Sequence, residues 1–83
     1  MGKFEKVLRR VLSGTSDANI AFDDLCWLLR KLGFEERIRG SHHGYRRADL
    51  ERPINLQPAG KDAKPYQVEQ VRERLQEIGI EEE

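Results

Sequence analysis

The sequence is poor in several features that would define other classes of protein. Its single cysteine, Cys26, cannot form an intramolecular disulfide, and its apolar neighbours favour a small buried side chain over a reactive thiol. No apolar run approaches the roughly 20 residues that span a bilayer. The segment after Met1 has no apolar signal-peptide core. We therefore expect a cytoplasmic protein with no membrane partner.

The chain also lacks net charge, since its 83 residues contain 15 Lys or Arg and 15 Asp or Glu. These charges are unevenly distributed. Residues 30–64 contain nine basic and five acidic residues, a net of +4, whereas residues 65–83 have a net of −4. The length predicts one small domain over residues 1–83, with a basic middle segment suited to an anionic partner.

Three segments repeat apolar residues at helical spacing. They cover about residues 3–12, 22–32 and 65–78. Each is followed by a glycine suited to a left-handed helix cap, namely Gly14, Gly33 and Gly79. The first helix precedes a loop of turn-forming residues, and Pro65 suits the first turn of the last helix.

Between the second and third helices the periodicity becomes that of strands. Residues 34–39 alternate, with Phe34, Glu36 and Ile38 on one side. A turn at residues 40–41 leads to a second strand over 42–47 and a short third strand over 54–57. The predicted fold class is α+β, a two-layer sandwich in which helices cover one face of a three-stranded antiparallel sheet.

The two histidines of the chain, His42 and His43, begin the second predicted strand. Adjacent strand residues point to opposite faces, so at least one imidazole is expected to be exposed. Histidine exchanges protons near neutral pH, and arginine stabilises charge on phosphate. Because RNA carries its own 2′-hydroxyl nucleophile, these groups would suit phosphodiester cleavage with no metal or other cofactor.

Other interpretations of the same segment remain open. The histidines could be incidental surface residues, and the arginines a solvated strand face. No Cys, Asp or Glu stands at a recognised ligand spacing from the histidines, so metal binding is not expected. Ser41 belongs to no readable catalytic triad and is typical of a turn.

Two aromatic residues have alternative positions. Tyr45 could stack on a base if it faced outward, or it could belong to the core. Trp27 lies off the main stripe of its helix and is expected to be half exposed or to contact the first helix. Near the last helix, Lys61 and Lys64 would lie beside its positive N-terminal end, which favours phosphate, or simply form a basic surface loop.

Two stretches of sequence resemble the HicA toxin family. The first is Leu29-Arg30-Lys31-Leu32-Gly33-Phe34 followed by Arg39-Gly40-Ser41-His42-His43. The second is Ile54-Asn55-Leu56-Gln57-Pro58 together with the last helix. The resemblance covers residues 19–79, so residues 1–14 form an N-terminal helical extension of the family core.

The resemblance implies a double-stranded-RNA-binding-like fold and an mRNA interferase, an endoribonuclease neutralised by a HicB-type antitoxin. The family's histidine after the Gly-Ser pair corresponds to His42, with His43 as the alternative. Gly44, which stands where the family often has a large apolar residue, would loosen the second strand. The residues that we expect to bind RNA are Arg37, Arg39, Ser41, Arg46, Lys61 and Lys64. A non-catalytic RNA-binding module is the alternative function.

Overall fold

The structure is a computed structural model that describes residues 2–81. Three helices lie on one face of a three-stranded sheet, and the order along the chain is helix, helix, three strands, helix. The elements are α1 (Lys3–Ser13), α2 (Phe22–Lys31), β1 (Glu35–Arg39), β2 (His42–Arg46), β3 (Ile54–Leu56) and α3 (Pro65–Glu77). The predicted loop between α1 and α2 contains a short 3₁₀ turn, Asp17–Asn19.

The helices form because each has an apolar stripe that packs on the others or on the sheet. Residues at helical spacing on α1 and α3 are buried, and α1 packs against both α2 and α3. After α2, Gly33 adopts a positive φ of 89°, and the Phe34 amide donates back to the Leu29 carbonyl, which ends the helix. No helix within residues 2–81 is long and apolar enough to cross a bilayer.

The sheet is an antiparallel meander in which β2 is central. β1 and β2 pair from Glu35 opposite Arg46 to Arg39 opposite His42. β3 pairs with residues 43–45 of β2. This register places side chains on two faces with a period of two residues, so the neighbouring histidines point to opposite sides.

One face of the sheet meets the helices and the other is left open. Tyr45, Ile54 and Leu56 on the inner face are fully or almost fully buried in a single apolar cluster with residues of all three helices. The fold is therefore α+β, a two-layer sandwich of the double-stranded-RNA-binding type, as the sequence predicted.

Three features of the strands differ from the sequence-based expectation. Ile38, expected on the buried side of β1, is 52% exposed, because β1 is an edge strand and Ile38 lies near its hairpin end. Phe34 is buried but precedes the strand. Gly44 was expected to loosen β2, yet the strand is paired on both sides at this position.

A partly buried ion pair joins α3 to the segment after α1. Arg72 donates to both carboxylate oxygens of Asp17, at 2.9 and 3.1 Å. The same guanidinium donates to the Val11 carbonyl, one of the unpaired carbonyls in the last turn of α1, at 3.0 Å. Arg72 thereby fixes the N-terminal helix onto the rest of the fold.

Candidate functional site

The open face of the sheet carries polar side chains in three rows, which the strand register defines. Directly opposed residues share a face, so the position of one residue determines which residues lie beside it across the sheet. Starting at the β1–β2 hairpin, the rows are Arg39 with His42, then Arg37 with Gly44 and Asn55, then Glu35 with Arg46.

These rows surround a groove of about 270 Å³. His42 and three arginines line it, and Gly44 lies in the middle row, where it contributes no side chain. The lining residues are Glu35, Arg37, Arg39, His42, Gly44, Arg46, Pro53 and Asn55. Four predicted site residues (the histidine and the arginines) are thus brought together on one surface.

The structure gives the two histidines different environments. His42 is exposed on the open face, within the groove. His43 points toward the helices, where its ring meets the edge of Phe22 with the ring centroids 5.3 Å apart at 84°. Within residues 2–81 the buried Nδ1 of His43 has no hydrogen-bond partner. Of the two imidazoles, that of His42 is the one accessible to a polyanion on the open face.

The hairpin that carries His42 is tied to α3 by side-chain amides. Gln57 Nε2 donates to Ser41 Oγ at 3.2 Å. The Gln57 carbonyl accepts a 2.9 Å hydrogen bond from Gln67 Nε2, and Gln67 Oε1 accepts one from the Lys64 amide at 3.2 Å. Gln67 is 2% exposed, so sequence reasoning missed a polar residue in the buried stripe of α3. Its position three residues after the helix N-cap was the available signal.

Lys61 and Lys64 lie in the segment between β3 and α3 and do not line the groove. The Lys61 carbonyl accepts a hydrogen bond from the Phe22 amide at 3.1 Å, and Lys64 is the N-cap residue of α3. Both side chains are exposed. Any role in RNA binding would therefore involve a part of the surface beyond the His42 groove.

Tyr45 lies beneath the site as a core residue and is not available to stack on a base. Its hydroxyl donates a 2.6 Å hydrogen bond to Glu36 Oε2, which also accepts one from Arg30 at 2.9 Å. The hydrogen bond from Tyr45, together with Arg30, lowers the pKa of Glu36. Burial is the main cause that raises the pKa of Tyr45. This charged network supports the inner face of β1 and β2.

The remaining sequence candidates belong to the helical layer. Trp27 is half-buried and contacts the first helix, with Lys3 Nζ 4.5 Å from its ring centroid. Cys26 is buried, and this burial raises the pKa of its thiol, consistent with a packing role. Among residues 2–81, no group of three or more His, Cys, Asp or Glu side chains could hold a metal ion.

The fold and this face define the class of protein: a small double-stranded-RNA-binding-type domain with an accessible histidine among arginines. Residues 22–80 match the family described as the HicA toxin of bacterial toxin-antitoxin systems. The chain therefore belongs to the HicA toxin family, whose members pair with antitoxins. The match begins at Phe22, so α1 lies outside it. No curated protein and no solved structure matches the chain significantly.

Proposed function

We propose that this toxin is an endoribonuclease that cleaves mRNA, with the His42 imidazole as its general acid or base. The observation that carries the proposal is the position of His42 in the open-face groove. It lies directly opposite Arg39, and Arg37 and Arg46 line the same groove. An accessible proton-transfer group surrounded by fixed cations is the combination that phosphodiester cleavage needs.

In the proposed reaction the ribose 2′-oxygen attacks the adjacent phosphorus and the bond from phosphorus to the 5′-oxygen breaks. Neutral His42 accepts the proton of the 2′-hydroxyl, and the departing 5′-oxygen takes a proton from the imidazolium or from water. The products are a 2′,3′-cyclic phosphate and a 5′-hydroxyl. Arginines of the groove stabilise the negative charge that increases on the phosphate oxygens.

His42 is favoured over His43 because the substrate is a polyanion that must approach the exposed, basic side of the sheet. The His43 ring lies on the other face, against Phe22. Ser41 at the hairpin tip can add a hydrogen bond to the RNA backbone, whereas Lys61 and Lys64 would contact more distant phosphates.

The inhibitory partner would be a HicB-type antitoxin that blocks access to His42, and mRNA as substrate implies action in the cytoplasm. The antitoxin partner is supported by membership of the HicA family, whose toxins pair with antitoxins.

The test is RNA cleavage by the full chain in the presence of a chelator, with His42→Gln and His43→Gln compared after thermal unfolding shows that both are folded. We expect His42→Gln to lose at least about a hundredfold in rate. His43→Gln should retain cleavage, and the fragments should end in 2′,3′-cyclic phosphates.

Cleavage by the wild-type chain no greater than that by the variant carrying both His42→Gln and His43→Gln would contradict the proposal. If RNA nevertheless bound to both proteins with a strong dependence on salt, the chain would be a non-catalytic RNA-binding module. Growth inhibition on expression, relieved by an antitoxin and absent for His42→Gln, provides the cellular readout.

A further inference from the structure

A second cavity, of about 380 Å³, adjoins the His42 groove on the open face of the sheet. It lies where the start of β1 and the end of β2 meet the connection between β2 and β3. Glu35, Arg46 and Pro53 line both cavities, so together they form one continuous depression. The proposed cleavage chemistry uses the part around His42 and leaves the second cavity without a role.

We propose that the second cavity is a nucleobase subsite that prefers bases with an amino group on their Watson–Crick edge. The inference rests on the proposed function, since it requires an RNA strand on the open face. Arg46 lies four residue steps after His42 on β2, a distance of about 13 Å at about 3.3 Å per residue. A base in this cavity would therefore lie near the scissile linkage without being part of it.

The path from His42 toward the second cavity passes over Gly44, which lines the groove but not the second cavity. Its neighbours across the sheet are Arg37 and Asn55, and Gly44 itself adds no side chain between His42 and Arg46. An RNA strand can approach the backbone of β2 closely at this point. Gly44 thereby leaves the groove open from His42 to Glu35, Arg46 and Pro53, the residues that the groove shares with the second cavity.

The walls of the second cavity are suited to a flat, partly apolar ligand. Leu50 and Pro53 supply apolar surface at the connection to β3. Arg47 forms a fixed wall, because it pairs with Asp49 at 3.1 Å and donates to the Leu32 carbonyl at 3.1 Å. Since these contacts already occupy its guanidinium, Arg47 is less available for a phosphate than Arg46.

Two carboxylates in the lining indicate which bases fit. Glu35 and Glu51 are both exposed, and within residues 2–81 neither forms an ion pair or a side-chain hydrogen bond. A carboxylate repels phosphate but accepts hydrogen bonds from an amino group, such as N4 of cytosine. Uracil presents a carbonyl oxygen at the equivalent position and would be disfavoured. The cavity therefore suits amino-bearing bases.

Cytosine and uracil make the sharpest comparison because they have the same size and differ in this group. The full chain carrying His42→Ala would be titrated with fluorescent oligocytidylate and oligouridylate, with binding followed by anisotropy. We expect tighter binding of oligocytidylate by about fivefold or more, the lower range for a specific base contact. Glu51→Gln and Glu35→Gln should each reduce this ratio, and the double variant should bring it close to one.

Glu5→Gln on α1, outside both cavities, is the matched control and should leave the ratio unchanged. Equal affinity of the His42→Ala parent for the two oligomers, no binding of either, or an unchanged ratio in the double glutamine variant would overturn the subsite. Because the readout is binding by an inactive variant, its result is independent of cleavage. A wild-type chain that failed to cleave RNA would contradict the proposed function while this ratio still tested the cavity.

Discussion

The hydroxyl of Tyr45 lies 2.6 Å from Glu36 Oε2, and the two residues are directly opposed on β2 and β1. This hydrogen bond joins the inner faces of the two strands whose outer faces carry His42 and the groove arginines. The carboxylate also contacts Arg30 of α2, so it links the strand pair to the helical layer. The support of the site is therefore polar at this point, beside a core that is mostly apolar.

Tyr45→Phe should destabilise the protein by about 1–2 kcal/mol, because a hydrogen bond to a charged group is lost while the ring remains. Folding lowers the pKa of Glu36, so its stabilising contribution is present above the unfolded-state value and decreases as the pH falls below it. Tyr45→Phe should therefore lose less stability on acidification than the wild type. Urea unfolding at about pH 7 and about pH 4 measures both effects; an equal acid loss in the two proteins would contradict this assignment.

Arg72→Ala should destabilise the fold by about 2–3 kcal/mol, because it leaves Asp17 and the Val11 carbonyl without their partner. This loss is somewhat smaller than for a fully buried pair, since both side chains are partly exposed. Arg72→Lys should recover part of this loss, since a lysine keeps the charge but not the two-pronged geometry. Asp24→Asn, which removes the exposed pair with Lys3, is the control and should cost under about 1 kcal/mol. Comparable losses for the exposed pair and the partly buried pair would refute the anchoring role of Arg72.

Gly44→Glu should reduce RNA cleavage strongly without unfolding the protein, because the added side chain occupies the floor of the groove and its carboxylate repels the RNA phosphates. Gly44→Ala is the matched control: its Cβ would lie 3.5 Å from Asn55 Oδ1 and 3.6 Å from the Arg37 carbonyl, which is ordinary contact. An alanine in a strand is also favoured over glycine by about 0.5–1 kcal/mol. Melting temperature and cleavage rate, measured on the same samples, separate the two effects. Full activity of Gly44→Glu would mean that RNA does not cross this position.

Arg39→Gln and Arg46→Gln should each weaken RNA binding and flatten its salt dependence. For single strands, each phosphate contact contributes about −0.7 to the slope of log affinity against log salt concentration. Arg9→Gln on the exposed surface of α1 removes the same charge from outside the groove. Anisotropy titrations across a range of potassium chloride concentrations, with His42→Ala as background, give the slopes. The prediction fails if the Arg9 variant changes the slope as much as the groove variants do.

Much of the fold follows from local sequence patterns. Apolar periodicity located all three helices, and alternation together with the turn at residues 40–41 located the strands to within one or two residues. Because adjacent residues of a strand point to opposite faces, the sequence also predicted that His42 and His43 would face opposite sides. The prediction that Ile38 lies on the buried side was wrong, because alternation specifies a face of the strand but not whether a helix covers that face along its whole length.

The composition of the site required the pairing register. Glu35, Pro53 and Asn55 are distant in sequence or unremarkable in type, and only the antiparallel pairing brings them beside His42 and Arg46. Lys61 and Lys64 show the opposite case, since a favourable local context at a helix N-terminus did not place them in the groove. Charge near a motif in sequence is therefore a weak guide to charge near it in space.

The sequence alone determined the α+β class and the presence of a Gly-Ser-His-His turn among basic residues, because these depend on periodicity and residue chemistry within short segments. The tertiary structure decided which histidine is accessible, since solvent exposure depends on which face of the sheet the helices cover. It also decided that Tyr45 is core and that Gly44 lies between Arg37 and Asn55 in the middle of the groove. Both outcomes depend on contacts between residues distant in the chain, which local patterns do not encode.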